Sequence, residues 1–239
     1  MRNMSKFIQW YLDRAPYVWS HICYLPWQAA DWLTLNDFAK YHQLIRRYSM
    51  CSYPRLRALY TAVKTTMHLG IAGDIVECGT ARGGSSALMA LTLKKYGHER
   101  KMWLFDTFGG LPPAGVHDPP EAKEWTGRCK GDLEEIQALL SRLGVLDRCK
   151  FVKGIFQNTL PATTVQKIAV LHIDADWYES VYACLENLYD KVSLGGIIQI
   201  DDYGHWSGAR KAVDEFMRLR NLKFPLKYID YTGRQFVKE

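Results

Sequence analysis

The 239-residue sequence has no Cys-x-x-C pair, no run of five basic residues and no G-x-G-x-x-G. Nor does any apolar run approach the roughly 20 residues that cross a bilayer. Each absence excludes something. Without a basic stripe, the net charge of +6 is too diffuse for a dedicated nucleic-acid face, while an acidic, nucleotide-linked substrate stays open. The six cysteines (Cys23, Cys51, Cys78, Cys129, Cys149, Cys184) read as free thiols packed as small hydrophobes. That pattern implies a reducing compartment, the cytoplasm. The N-terminal stretch carrying Trp10, Trp19, Trp27 and Trp32 is broken early by Asp13, Arg14 and Pro16, so it does not span a membrane. Its aromatic rings suit packing, an oligomer contact, an acceptor pocket or a membrane-surface contact.

What is present is strand–helix alternation. Residues 1–53 read as a helical, irregular extension, and a domain runs from 54 to 239, opened by an amphipathic helix at Pro54. From residue 74, short apolar runs ("DIVEC", "KMWLFD", "KFVKG", "IAVLHID", "GGIIQID") alternate with helical stretches, and the chain closes on a hairpin signal at Thr232-Gly233. This order predicts an α/β fold: a mostly parallel sheet with helices on both faces and an antiparallel addition at its edge. Ligands of such sheets bind beyond the carboxyl ends of the strands.

The strand ends are where polar residues collect. The first runs into "ECGTARGGSS", a glycine turn and helix entry that let the backbone approach a ligand. Glu77 before Gly79 would repel a pyrophosphate but suits hydroxyls and positive charge. Asp106 ends the second strand, where an acid accepts hydrogen bonds from ribose hydroxyls. The fourth and fifth strands end in Asp174, Asp176, Asp201 and Asp202. Carboxylates converging on one rim repel unless a cation lies among them, and hard oxygen donors select Mg²⁺ or Ca²⁺ over zinc. Asp176 either joins them or caps the helix that follows.

Together, "GDIVECGTARGGSS", "FDTFGGLP", "GDLEEIQALLSRLG", "FVKGIFQNTLP", "HIDADWYES" and "GGIIQIDDYGHWSGARKAVDEF" resemble the macrocin O-methyltransferase family of Mg²⁺-dependent sugar methyltransferases. The resemblance runs from about residue 50 to 220. It implies a Rossmann-like class I methyltransferase fold with a seven-stranded sheet and S-adenosylmethionine as methyl donor. It further implies that Glu77, Cys78, Gly79, Thr80, Gly83, Ser85 and Ser86 hold the methionine part and that Asp106, Thr107 and Phe108 hold the ribose. Gly131, Asp132, Gly154, Phe156 and Gln157 would lie near the adenine. Asp174, Asp201 and Asp202 match its metal-binding acids, with Asp174 doubling as base and Asp176 the second candidate.

The chemistry agrees on its own terms: a sugar hydroxyl is a poor nucleophile, and Mg²⁺ acidifies and aligns it. The acceptor implied is a sugar hydroxyl or similar diol in a natural product or glycan, and the chain is expected to form homo-oligomers. His205, after "DDYG", is a candidate base or acceptor contact. His172 reads as a core residue inside its strand, and His117 and Asp118 as part of a solvated loop. Two other readings compete. An NAD(P)-dependent oxidoreductase lacks its fingerprint and leaves the surplus acids without a role. A non-catalytic binding protein would not need acids at two strand ends.

Overall fold

The computed structural model describes residues 24–97 and 99–239; Trp10, Trp19 and Cys23 lie outside the described residues. The chain is helical over 24–33 (α1), then at Asp37–Ile45 (α2) and Tyr53–His68 (α3). Asn36 and Ser52 cap α2 and α3, their side chains accepting from Ala39 N and Arg55 N. The α/β run follows: β1 (Asp74–Cys78), α4 (Gly84–Tyr96), β2 (Met102–Asp106), α5 (Leu133–Arg142), β3 (Cys149–Lys153) and α6 (Phe156–Thr159). It continues through β4 (Ile168–Ile173), α7 (Tyr178–Leu188), β5 (Val192–Ile200) and α8 (Ser207–Leu219) to β6 (Lys227–Tyr228) and β7 (Arg234–Val237).

The seven strands lie in the order β3-β2-β1-β4-β5-β7-β6. The first five are parallel, and β7 runs antiparallel to both β5 and β6. The predicted sheet and its terminal antiparallel hairpin are therefore present. The hairpin turn rests on Asp230, whose Oδ1 accepts from Thr232 N and Gly233 N at 3.0 and 2.7 Å.

Strand alternation divides the core into two. Val76, Cys78, Phe105, Leu171, Ile173 and Ile198 face α7 and α8, meeting Val181, Leu185, Val213 and Phe216. Ile75, Leu104 and Val170 face the other side with Leu56, Leu59, Leu88 and Ile136. Phe38 and Ile45 of α2 belong to that second cluster. β5 starts earlier than "GGIIQID" indicates, because a 3-10 turn at Tyr189–Lys191 ends α7 and feeds Val192 directly into the sheet.

β1 and β4 are neighbours although β2 and β3 intervene in the chain, so the connection reverses there. The carboxyl ends on either side of that reversal form a crevice. Gly79, at φ 92°, follows β1, and a Cβ there would overlap the carbonyl oxygen of Asp174. Glycine is what allows the two strand ends to approach this closely.

Candidate active site

A cavity of about 290 Å³ opens at that crevice. Its lining includes Gly79 and Ala81 after β1, Asp106 and Thr107 after β2, and Phe156 on α6. Asp174 and Asp176 after β4 and Asp201, Asp202 and His205 after β5 complete it, with Cys51 and Arg55 from the α3 entry. Residues 150 positions apart in the chain meet here, as Cys51 and Asp201 do at 3.9 Å.

Asp106 is held by the glycine turn. Its Oδ2 accepts from Thr80 N at 2.7 Å and Ala81 N at 3.3 Å, and its Oδ1 from Phe108 N at 2.7 Å. These bonds fix the carboxylate at the cavity edge and leave lone pairs for a ligand.

Glu77 is elsewhere. It is buried to 0% exposure, where Ser86 Oγ and His172 Nδ1 donate to it, and it does not line the cavity. The register explains this: Glu77 pairs with His172 and His172 with Gln199, one polar row on the α3–α4 side of the sheet. Cys78 and Ser86 are fully buried and Ser85 nearly so. Gly83 is the N-cap of α4 at φ 81°.

Several other sequence-predicted residues serve the scaffold. Asp132 is exposed and caps α5, accepting from Glu134 N and Glu135 N. Gly131 is needed for packing, since a Cβ would overlap the Ala81 carbonyl. Gly154 N donates to the Asp106 carbonyl at 2.9 Å, and Gln157 is exposed. None of these four lines the cavity, whereas Phe156 does.

The acids divide into two groups. One oxygen each of Asp174, Asp176 and Asp202 lie within 4.8 Å of one another. Asp201 lies beside Asp174, with an oxygen within 4.8 Å of it; Arg55 Nη1 donates to its Oδ2, and its Oδ1 faces His172 Nε2 at 3.6 Å. Asp176 thus joins Asp174 and Asp202, while Asp201 of the sequence reading keeps its place beside Asp174. Asp176 does not cap the following helix. That role belongs to Asp118, whose Oδ1 accepts from Tyr178 N at 2.9 Å while its Oδ2 accepts from Gly115 N. His117 is exposed as expected, while the two ends of the loop wall the site through Leu111, Pro112 and Trp125, with Trp125 packed on Trp206.

Burial and then mutual repulsion drive the trio's pKa values up. Burial and Asp201 raise Asp174 well above the usual carboxylate range, and burial, Asp176 and Asp174 do the same for Asp202. Asp176 is pushed up to about 6 by burial, against the Trp206 hydrogen bond that pulls it down. Burial also opposes charge on Asp201, but Arg55 and His172 bring it below its ordinary value. Two ionised carboxylates within 4.8 Å repel by roughly 3–4 kcal/mol at an effective dielectric of about 20. Three such pairs rival the stability of a whole domain, so full ionisation requires a cation. All donors in the trio are oxygens, which fits Mg²⁺. His205 sits at the rim against Trp206; partial desolvation, then the Arg55 charge, lower its pKa and keep it neutral.

Sequence reasoning missed Arg55, Cys51, Trp125 and Trp206. Arg55 bridges Asp201 and Asp230, and nothing local marks an arginine in the first turn of an amphipathic helix for that task.

Residues 39–238 match the profile of the family described as Macrocin-O-methyltransferase (TylF). The chain is 36% identical to the 8-demethyl-8-(2,3-dimethoxy-alpha-L-rhamnosyl)-tetracenomycin-C 4'-O-methyltransferase of Streptomyces olivaceus, covering 78% of this chain and 74% of that protein. It is 31% identical to the demethyldecarbamoylnovobiocin O-methyltransferase of Streptomyces niveus, over the same shares. Among solved structures, the O-methyltransferase NovP superposes with a TM-score of 0.75 at 31% identity, covering 80% of this chain and 82% of NovP.

Proposed function

The chain belongs to the macrocin O-methyltransferase family, and on that premise we propose that it moves a methyl group from S-adenosylmethionine to a sugar hydroxyl, or similar diol, of a natural-product glycoside, with Mg²⁺. The observation that carries this reading is the oxygen-only trio of Asp174, Asp176 and Asp202 opening into the cavity that Asp106 and Gly79 also line. The sugar is supported by relatives named for the rhamnosyl group of a tetracenomycin and for mycinamicin III.

S-adenosylmethionine, when bound, supplies a sulfonium-activated methyl group as the electrophile. Asp106 accepts hydrogen bonds from the ribose hydroxyls, because its carboxylate is already oriented by Thr80, Ala81 and Phe108. Phe156, which lines the cavity from α6, would support the adenine.

Mg²⁺, when bound, supplies a Lewis acid that lowers the pKa of an acceptor hydroxyl. Asp174 and Asp202 would hold it, each neutralised by burial in its absence. Asp176 takes the proton of the attacking hydroxyl. Trp206 Nε1 holds its Oδ1 at 3.0 Å, and a pKa of about 6 lets it be ionised near neutral pH while still basic enough to accept. Arg55 keeps Asp201 ionised and fixed. The aromatic wall of Trp125, Trp206 and Trp177 excludes water, which favours a reaction in which charge is neutralised.

Two of the N-terminal tryptophans, Trp27 and Trp32, are 56% and 40% exposed, which supports a homo-oligomer contact there; light scattering on the purified chain tests it.

The function is tested by titrating the protein with S-adenosylhomocysteine and separately with NADH, with Mg²⁺ and with EDTA. Methyl transfer to rhamnosyl acceptors is then followed by mass spectrometry. Binding of S-adenosylhomocysteine, and a gain of one methyl mass that EDTA abolishes, is the expected result. Binding of NADH alone would move the oxidoreductase reading to first place.

A further inference from the structure

The cavity continues past the acids on the side away from Asp106, and the strand order fixes its direction. Gly79 and Asp106 follow β1 and β2, the converging acids follow β4 and β5, and β7 lies beyond β5. An acceptor that presents its hydroxyl to Asp176 therefore has the rest of its body over the β5–β7 end. That end is walled by Met50, His205, Trp206, Tyr231 and Thr232.

The wall is firmly built. Gly204 N donates to the Thr232 carbonyl at 2.8 Å, and a Cβ on Gly204 would overlap the Tyr231 carbonyl oxygen. Glycine is what lets the loop after β5 press against the β6–β7 turn. From the other side, Ser52 Oγ and Arg55 Nε both donate to Asp230 Oδ2, at 2.5 and 3.1 Å. The His205 ring meets Trp206 and Tyr231 edge to face, with centroids 4.7 and 6.3 Å apart. Met50, 60% exposed, completes an aromatic and thioether rim on this anchored turn.

Charge at this end is of one sign. Among the described residues that line the cavity, Arg55 alone is permanently cationic. It is already committed, Nη1 donating to Asp201 and Nε to Asp230. Arg234 on β7 is turned to the carbonyls of Asp230 and Gly233. A pyrophosphate needs guanidinium, ammonium or backbone N–H donors that are not spent elsewhere. Here it would meet the carboxylates of Asp201 and Asp202, and like charges so placed are strongly disfavoured. An uncharged ring system gains instead from the aromatic edges and the thioether.

We propose that the β5–β7 end is the subsite for an uncharged, apolar ring system glycosidically linked to the sugar, with Met50 and Tyr231 as its specificity-determining residues. This rests on the methyltransferase reading above and goes beyond it. Net charge alone leaves a nucleotide-linked sugar open, whereas this wall rejects one. A glycosyl transfer must then supply the substrate: it forms the glycosidic bond, breaks the sugar–phosphate bond and releases the nucleoside diphosphate before the sugar arrives. In the step that follows, the methyl group passes from sulfur to the hydroxyl oxygen, Asp176 takes the proton, S-adenosylhomocysteine leaves, and the glycosidic bond stays intact.

The test gives the full chain, with S-adenosylmethionine and Mg²⁺, three acceptors that share one sugar. They are para-nitrophenyl α-L-rhamnoside, methyl α-L-rhamnoside and thymidine diphosphate rhamnose, and mass spectrometry follows methyl transfer. The aryl glycoside should have a kcat/KM about 10-fold above the methyl glycoside and at least about 100-fold above the nucleotide sugar. Tyr231→Ala should raise KM for the aryl glycoside by about 10-fold and leave both constants for the methyl glycoside unchanged. A merely structural role would move both acceptors together. Met50→Ala, at an exposed position whose truncation spares the fold, should shift the same acceptor in the same direction. Nucleotide sugar turned over as well as the aryl glycoside, or an aryl KM unmoved by both variants, would overturn the proposal and leave the methyltransferase reading standing. Transfer to none of the three would sink both.

Discussion

Asp176 holds a left-handed backbone at φ 55°, a conformation that an aspartate tolerates better than most side chains. It commits one oxygen to Trp206 and has its pKa pushed up to about 6. As the proposed base it works only when ionised, so kcat should rise with pH through the Asp176 pKa, about 6 in the cation-free site, and level off about one pH unit above it. Asp176→Asn should remove that limb and lower kcat by about 10²–10⁴-fold, measured as a pH–rate profile. Asp174→Ala should abolish turnover while leaving S-adenosylhomocysteine affinity nearly unchanged, because its proposed role is at the cation; retained activity would remove it from the site. Asp106→Ala should do the reverse. It should cost about 1.5–3 kcal/mol of cofactor binding, the usual worth of hydrogen bonds to a charged group, and calorimetry reads this directly.

Among the elements, α7 depends on a residue 60 positions away. Its N-cap, Trp177, offers no side-chain acceptor, and Asp118 Oδ1 serves Tyr178 N instead. Asp118→Ala should cost about 0.5–2 kcal/mol of stability, seen as a few degrees in the melting midpoint. It should also loosen the loop that brings Trp125 to the cavity, raising KM for the acceptor more than it lowers kcat. The alternation of apolar runs was sufficient to place every parallel strand, because period-2 patterning and strand burial are local properties. The 3-10 segment Pro120–Trp125 inside the long loop was not legible: its Ala122 is buried only because the core closes over it.

For the molecule as a whole, the acids set a pH dependence of stability. Asp174, Asp176 and Asp202 have folded-state pKa values above the ordinary carboxylate value of 3.8. The folded chain thus holds more protons than the unfolded one, and these groups' contribution to stability falls as pH rises above about 4, through about 6 for Asp176 and beyond it for Asp174 and Asp202. A divalent cation among them offsets the repulsion. Mg²⁺ should therefore raise the melting midpoint more at pH 8 than at pH 5. Equal shifts at both would place the cation elsewhere.

The sequence by itself determined the strand order of polar ends, the glycine turn and the acids at two neighbouring strand tips, because each follows from local pattern and from where parallel strands must end. Only the tertiary structure decided what each acid faces. Register put Glu77 beside His172, and the entry of α3 brought Arg55 to Asp201. That pairing fixes Asp201 beside Asp174, and Asp176 converges with Asp174 and Asp202. A carboxylate's partners are fixed by packing between elements distant in sequence, and no local pattern encodes that distance.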